Sequence, residues 1–214
     1  MHSEIIDRAT EFVKNIFEND FGGHDYFHTI RVFKMATYIA KKENANLQTV
    51  QLVALLHDVD DIKLSPQTHE NKDNARRFLR ENGVDDSTVE SICQMINEIS
   101  YVGTDSVAPK TLEGQCAQDA DRLDAIGAIG IARAFAFGGS RNRKMYDPDE
   151  PPKMNMNEEE YRKSKSTTVN HFYEKLFKLT AMMNTSAAKE IAADRERYMQ
   201  NFIEEFLAEW DGER

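Results

Sequence analysis

In the segment LLHDVDD, residues 55–61, a histidine and three acids stand directly behind an apolar run. On a helix Asp61 would lie four residues past His57 and three past Asp58, next to both. A neutral imidazole nitrogen beside carboxylate oxygens is a ligand set for a divalent metal, and a bound cation would offset the cost of drawing acids toward an apolar core. Two ligands seldom hold a metal, so the rest must come from elsewhere. In HDYFHTIRVFKMA, His28 shares a helical face with Val32, Met35 and Ile39, which turns its ring inward; Arg31, one turn on, is a candidate anion contact. In QDADRLDAIGAIGIARAF, Asp121 heads a face continued by Ala125, Ala128 and Ala132. His28, His57, Asp58 and Asp121 could therefore converge. Each alone also has an ordinary reading: a helix-surface or capping pair for His57-Asp58, a hydrogen-bonded core histidine for His28, and a cap or half of an ion pair with Arg122 for Asp121.

The elements that must position these groups read as helices. Ile30, Phe33 and Ala40 lie on one stripe, and Val50, Val53, Ala54 and His57 recur at i, i+3, i+4 and i+7. Ser87 and Glu90 stand at capping-box spacing, and Asn157 precedes an acidic run suited to a first helical turn. Val169, Phe172, Leu176, Leu179 and Met183 trace another stripe, as do Tyr198, Phe202 and Phe206. Gly127 and Gly130 are expected to let their helix approach its neighbours closely. No alternating run is long enough to insist on a strand, so the fold class expected is all-α.

A chain of 214 residues, 40% hydrophobic, has the material for one sizeable core, and a single domain over 1–214 is expected. Lys plus Arg number 27 and Asp plus Glu 37, for a formal net charge of -10. That balance argues against non-specific attraction to nucleic-acid polymers or anionic lipid. Cys93 and Cys116 give neither a short metal-ligand spacing nor a disulfide framework, and no stretch reaches the roughly 18 apolar residues of a membrane span. A cytoplasmic protein is expected. The main interruption, residues 137–157, holds three of the five prolines. It reads as a surface loop or disordered link, or, because Arg141, Arg143, Lys144 and Lys153 gather there, as a lid.

The order of His28 in HTIRV, His57-Asp58 in LLHDVDD and Asp121 in DADRLDAIGAIGIAR resembles the HD-domain metal-dependent phosphohydrolases. The likeness is closest to the small stand-alone bacterial and archaeal branch, some members of which act on nucleotides. It includes His24-Asp25, four residues ahead of the first ligand histidine, and TTVNHFYEKLFKL at 167–179, and it spans nearly the whole chain. The resemblance implies an HD-domain helical bundle in which His28, His57, Asp58 and Asp121 hold one divalent ion: manganese, nickel, cobalt, iron, zinc or magnesium. It also implies that Asp61, at a position where related enzymes place a catalytic acid, orients a water. Members with two metals carry extra histidines before the final aspartate. Only His69 lies in that interval here, so a two-metal phosphodiesterase or di-iron oxygenase is less well supported.

The implied reaction is hydrolysis of a nucleotide or similar small phosphate ester, with cleavage of a nucleoside triphosphate to the monophosphate and pyrophosphate as one form. Arg31, Arg122, Arg141 and Lys175 are candidates for charge around the phosphoryl group, with His24 or His171 as proton donor to the leaving oxygen. Bland alternatives stay open: Arg122 pairing with Asp119 or Asp124, and His171 and Lys175 facing solvent from a packed helix. The second functional reading is a non-catalytic nucleotide-binding regulatory module, against which the intact ligand set argues. A homodimer is left open.

Overall fold

The computed structural model describes residues 2–17, 25–62 and 64–213, and among these every regular element is helical. His24 lies outside the described residues. The chain forms two compact units, one of residues 1–100 and 107–121, the other of residues 101–106 and 122–214.

In the first unit, α1 (His2–Phe17), α2 (Tyr26–Glu43), α3 (Leu47–Leu56), α4 (Asp73–Glu81) and α5 (Asp86–Asn97) precede α6 (Leu112–Asp124), whose last turn belongs to the second unit. α3 is buried at every position from Val50 to Leu56, as its nearly unbroken apolar sequence requires of a central helix. α1, α2 and α5 pack against it, and α4 packs on α5. Leu55, Leu56, Leu79 and Ile92 sit in this core, and Phe12 stacks on Phe78 at 4.8 Å. Asp25 caps α2 and Asn46 caps α3, each side chain accepting a hydrogen bond from a first-turn amide. The expected cap at Ser87 falls two residues earlier. Asp85 accepts from the Thr88 amide and hydroxyl, and Ser87 donates to that same carboxylate. Glu90 is instead paired with Arg76.

In the second unit, a 3-10 turn (Gly103–Asp105) is followed by α7 (Gly127–Ser140), α8 (Glu158–Lys163), α9 (Thr168–His171), a π-helical turn (Phe172–Leu176), α10 (Phe177–Ala181) and α11 (Ser186–Trp210). α7 packs on α11, and Phe135, Phe172, Phe202 and Phe206 make an aromatic core. The stripe from Val169 to Met183 is buried throughout. On α11, Tyr198 is exposed and Met199 and Ile203 are buried instead. The helix expected after Asn157 is α8, and Asn157 closes a capping box with Glu160.

The helix expected to run through Asp121, Ala125, Ala128 and Ala132 is broken between Asp124 and Gly127. Gly127 sits at φ +73, a left-handed conformation costly to residues with a Cβ, and an added Cβ would meet Arg195 Cγ at 2.9 Å. A Cβ at Gly130 would collide with the Ala125 carbonyl. The first glycine thus serves the turn, and the second serves a close approach to the backbone just before it.

α7 carries helix to Ser140, so the irregular segment begins at 141 rather than 137. It is bonded in place: the Thr168 and Val169 amides donate to the Lys144 and Met145 carbonyls at 3.0 and 2.9 Å. The Lys153 amide donates to buried Glu174 at 2.9 Å, and the Asn170 side chain donates to the Glu150 carbonyl at 2.7 Å.

Candidate metal centre

His28 occupies the first turn of α2, where Asp25 accepts its backbone N–H at 2.6 Å, and it is buried, as are Val32 and Ile39 further along the helix. The cap therefore fixes the turn that carries the imidazole. His57 follows the last residue of α3, and His57 to Asp60 form a turn rather than a further helical turn. Asp121 comes from α6.

All four groups meet within the first unit. His57 Nε2 lies 3.3 Å from His28 Nε2 and 3.2 Å from Asp58 Oδ2, and His28 Nε2 lies 3.4 Å from that same oxygen. Asp121 Oδ1 stands 3.4 Å from His28 Nε2 and 3.8 Å from His57 Nε2. Donors bound to one ion at about 2.0–2.2 Å are separated by about 3–3.5 Å, so all of these spacings but that of His57 and Asp121 already match a single cation. His28, His57 and Asp58 form a group that could hold a metal among the described residues, with Asp121 at its more open side, 26% exposed.

The hydrogen at His57 supports this fit. Nδ1 lies 2.8 Å from the Ala54 carbonyl and donates to it, which leaves Nε2 as the lone-pair nitrogen of the neutral ring. Burial pulls the pKa of this imidazole down, but the charge and hydrogen bond of Asp58, with Asp121 and the Ala54 carbonyl, push it up to about 9. Without a cation, a proton at Nε2 is what the two carboxylates favour.

The other expected residues divide. The Asp61 amide donates to the Asp58 carbonyl at 3.0 Å, so Asp61 follows a tight turn and is part-exposed. Arg31 is half-buried on α2. The remaining four belong to the second unit. Arg122 is buried and donates to the Met182 carbonyl, while Asp124 pairs with Arg133 at 2.6 Å. Arg141 is exposed, over the Phe137 ring. His171 stacks on Tyr161, and Lys175 lies over both Tyr101 and Tyr161, so neither simply faces solvent. Burial, then the charges of Lys175 and Arg143, lower the His171 pKa to about 3. Near neutral pH that ring is therefore neutral in the fold.

Two residues of the centre's frame have structural roles that the sequence reading did not assign. Asp25 carries a legible signal, an acid three residues ahead of the ligand histidine at a helix start. Asp60 carries none: it is simply the middle acid of LLHDVDD, yet it is buried and accepts the Asn74 and Ala75 amides at the head of α4.

Comparison with known proteins agrees with this geometry. The HD domain family matches residues 25–126, which include all four converging groups, and the chain belongs to that family. It is therefore of the class of metal-dependent phosphohydrolases that its histidines and aspartates resemble. Among particular relatives, YpgQ of Bacillus subtilis is 34% identical over 194 residues, covering 90% of this chain and 87% of YpgQ. The crystal structure of YpgQ in complex with ADP superposes with a TM-score of 0.77 over 96% of this chain and 94% of that one, at 32% identity. A Lactobacillus plantarum protein of known structure matches with a TM-score of 0.88 and 39% identity over 98% of both chains. An HD-superfamily hydrolase of Bacillus thuringiensis matches with a TM-score of 0.78 and 41% identity over 99% of both.

Proposed function

We propose that the chain hydrolyses a nucleotide or closely similar phosphate ester, with one divalent cation held by His28, His57, Asp58 and Asp121. The observation that carries this reading is the approach of four donor atoms from separate stretches of chain to within single-ion spacing. When bound, the cation supplies Lewis-acid charge and brings water to nucleophilic strength near neutral pH. His57, donating from Nδ1 to Ala54, keeps its other nitrogen aimed at the cation. Asp61, one turn beyond Asp58 and reached by solvent, orients the attacking water by accepting its hydrogen bond. Arg31, on the helix of His28, contacts the phosphate. The ADP found on YpgQ supports a nucleoside di- or triphosphate as the substrate class.

The test is a panel of nucleoside mono-, di- and triphosphates with metal-stripped protein, to which manganese, nickel, cobalt or magnesium is returned. Free phosphate and pyrophosphate are read separately, so that the bond cleaved is identified. No hydrolysis without metal and recovery with at least one ion is expected. Equal rates with and without metal overturn the proposal, and tight metal-dependent nucleotide binding without turnover points to a regulatory module instead.

A further inference from the structure

Between Asp58 and Asp61 stand the peptide carbonyls of Val59 and Asp60, held from the first turn of α4 and from the segment that leads into it. Asn74 Nδ2 donates to the Val59 carbonyl at 3.1 Å, and His69 Nδ1 donates to the Asp60 carbonyl at 2.8 Å. The Asp60 carboxylate returns the attachment by accepting the Asn74 and Ala75 amides at 3.1 and 3.0 Å. What holds His69 in turn is Lys72: its Nζ donates to the His69 carbonyl at 2.6 Å. Nζ also lies 3.4 Å from His69 Nδ1, an approach rather than a bond, because that nitrogen's hydrogen is already given to Asp60.

Lys72 is unusual on two counts. It is only 6% exposed, whereas a lysine is seldom buried without a charged partner. Its backbone is left-handed, φ 56 and ψ 46, a conformation that glycine would adopt without strain. That turn brings the Asp73 amide back to the Thr68 carbonyl at 3.2 Å and doubles the side chain over residue 69. Burial pulls the ammonium below the ordinary lysine range, while the charges of Asp60 and Asp61 act to retain it. A side chain that tolerates both penalties must return something that glycine could not, and what its ammonium grips is the residue that clamps Asp60.

We infer that Lys72 is a positioning residue: through His69 it locks the turn from His57 to Asp61 and so aims Asp58 and Asp61 at the metal centre. This rests on the roles proposed above for those two aspartates, but its physical part is independent of them. Hydrogen exchange at the amides of Val59, Asp61, Leu64 and Ser65, each donating to a nearby carbonyl, reads the rigidity of the turn without any substrate. In Lys72→Met, exchange there is expected to rise about tenfold or more while amides in the middle of α5 keep their protection. The same variant is expected to lose about tenfold in kcat with KM within about twofold, as for a displaced catalytic group.

Lys72→Gly separates the ammonium from the backbone. It relieves the left-handed conformation, so it is expected to melt above Lys72→Met yet keep the raised exchange. Lys72→Arg, which keeps a donor, is expected to restore part of the protection. Wild-type exchange at those four amides in Lys72→Gly overturns the inference, because the backbone turn alone would then suffice. If Lys72→Met fails to fold, the glycine and arginine variants decide the question. If the wild-type protein hydrolyses no phosphate ester, the proposed function fails while the exchange measurements still settle the turn.

Discussion

At His57 one nitrogen has two competing occupants. The folded-state pKa of about 9 lies above the ordinary 6.5, so the metal-free fold gains fully from a protonated ring below about pH 6.5 and loses that gain as pH rises through about 9. A cation must displace that proton. Affinity is therefore expected to rise by up to about tenfold per pH unit through this window, with release of about one proton per ion near pH 7. Titration calorimetry in buffers of different ionisation enthalpy counts the proton; a pH-independent affinity with no proton release would contradict the assignment of His57. Asp61 separates by a different test. Asp61→Asn keeps its size and a hydrogen-bonding oxygen but loses its charge, so it is expected to keep the metal and to lose about a hundredfold in turnover. Loss of bound metal, measured by elemental analysis, would make Asp61 a ligand instead.

The helices show what could be read ahead of the structure and what could not. The inward face of His28 and the stripe from Val169 to Met183 were legible because burial repeats at the helical period in the sequence itself. The helix start at Asn157 was legible because the acids of its first turn follow directly in the sequence. The Ser87 cap was misplaced because Asp85 offers the same acceptor chemistry two residues earlier and Glu90 is drawn to Arg76, a partner from another helix. The run from Asp121 to Ala132 kept helical spacing across a break, because periodicity alone does not distinguish one helix from two with matching faces. Gly127 was the available sign, and its positive φ gives it a sharp test. Gly127→Ala must place a methyl against Arg195 in a backbone conformation that alanine resists. A loss of about 1–2 kcal/mol in denaturant unfolding is expected. Gly139→Ala, inside α7 with open space around its Cβ, should be neutral or slightly stabilising.

For the molecule as a whole, the candidate centre gathers groups that are remote along the chain and whose charges oppose one another. Asp58 and Asp121 both face the two histidines, in a chain of net charge -10. Their convergence was legible only as order and residue type; sequence carries no distances, and the part of the frame supplied by Asp60 and His69 depends on bonds between separate segments. A cation at the centre would tie α2, the end of α3 and α6 together and relieve that repulsion, and it would bind the unfolded chain, whose ligands are scattered, far more weakly. Folding and binding are then linked: at a free ion concentration one hundred times the dissociation constant, the fold should gain about 2.7 kcal/mol. The melting temperature is accordingly expected to rise with added manganese, nickel or cobalt and to fall back with chelator. In Asp58→Ala the shift should vanish, whereas in Asp61→Asn it should persist. A rise of equal size in Asp58→Ala would mean that the ion stabilises the protein at some other place and that the four-residue centre is not where it binds.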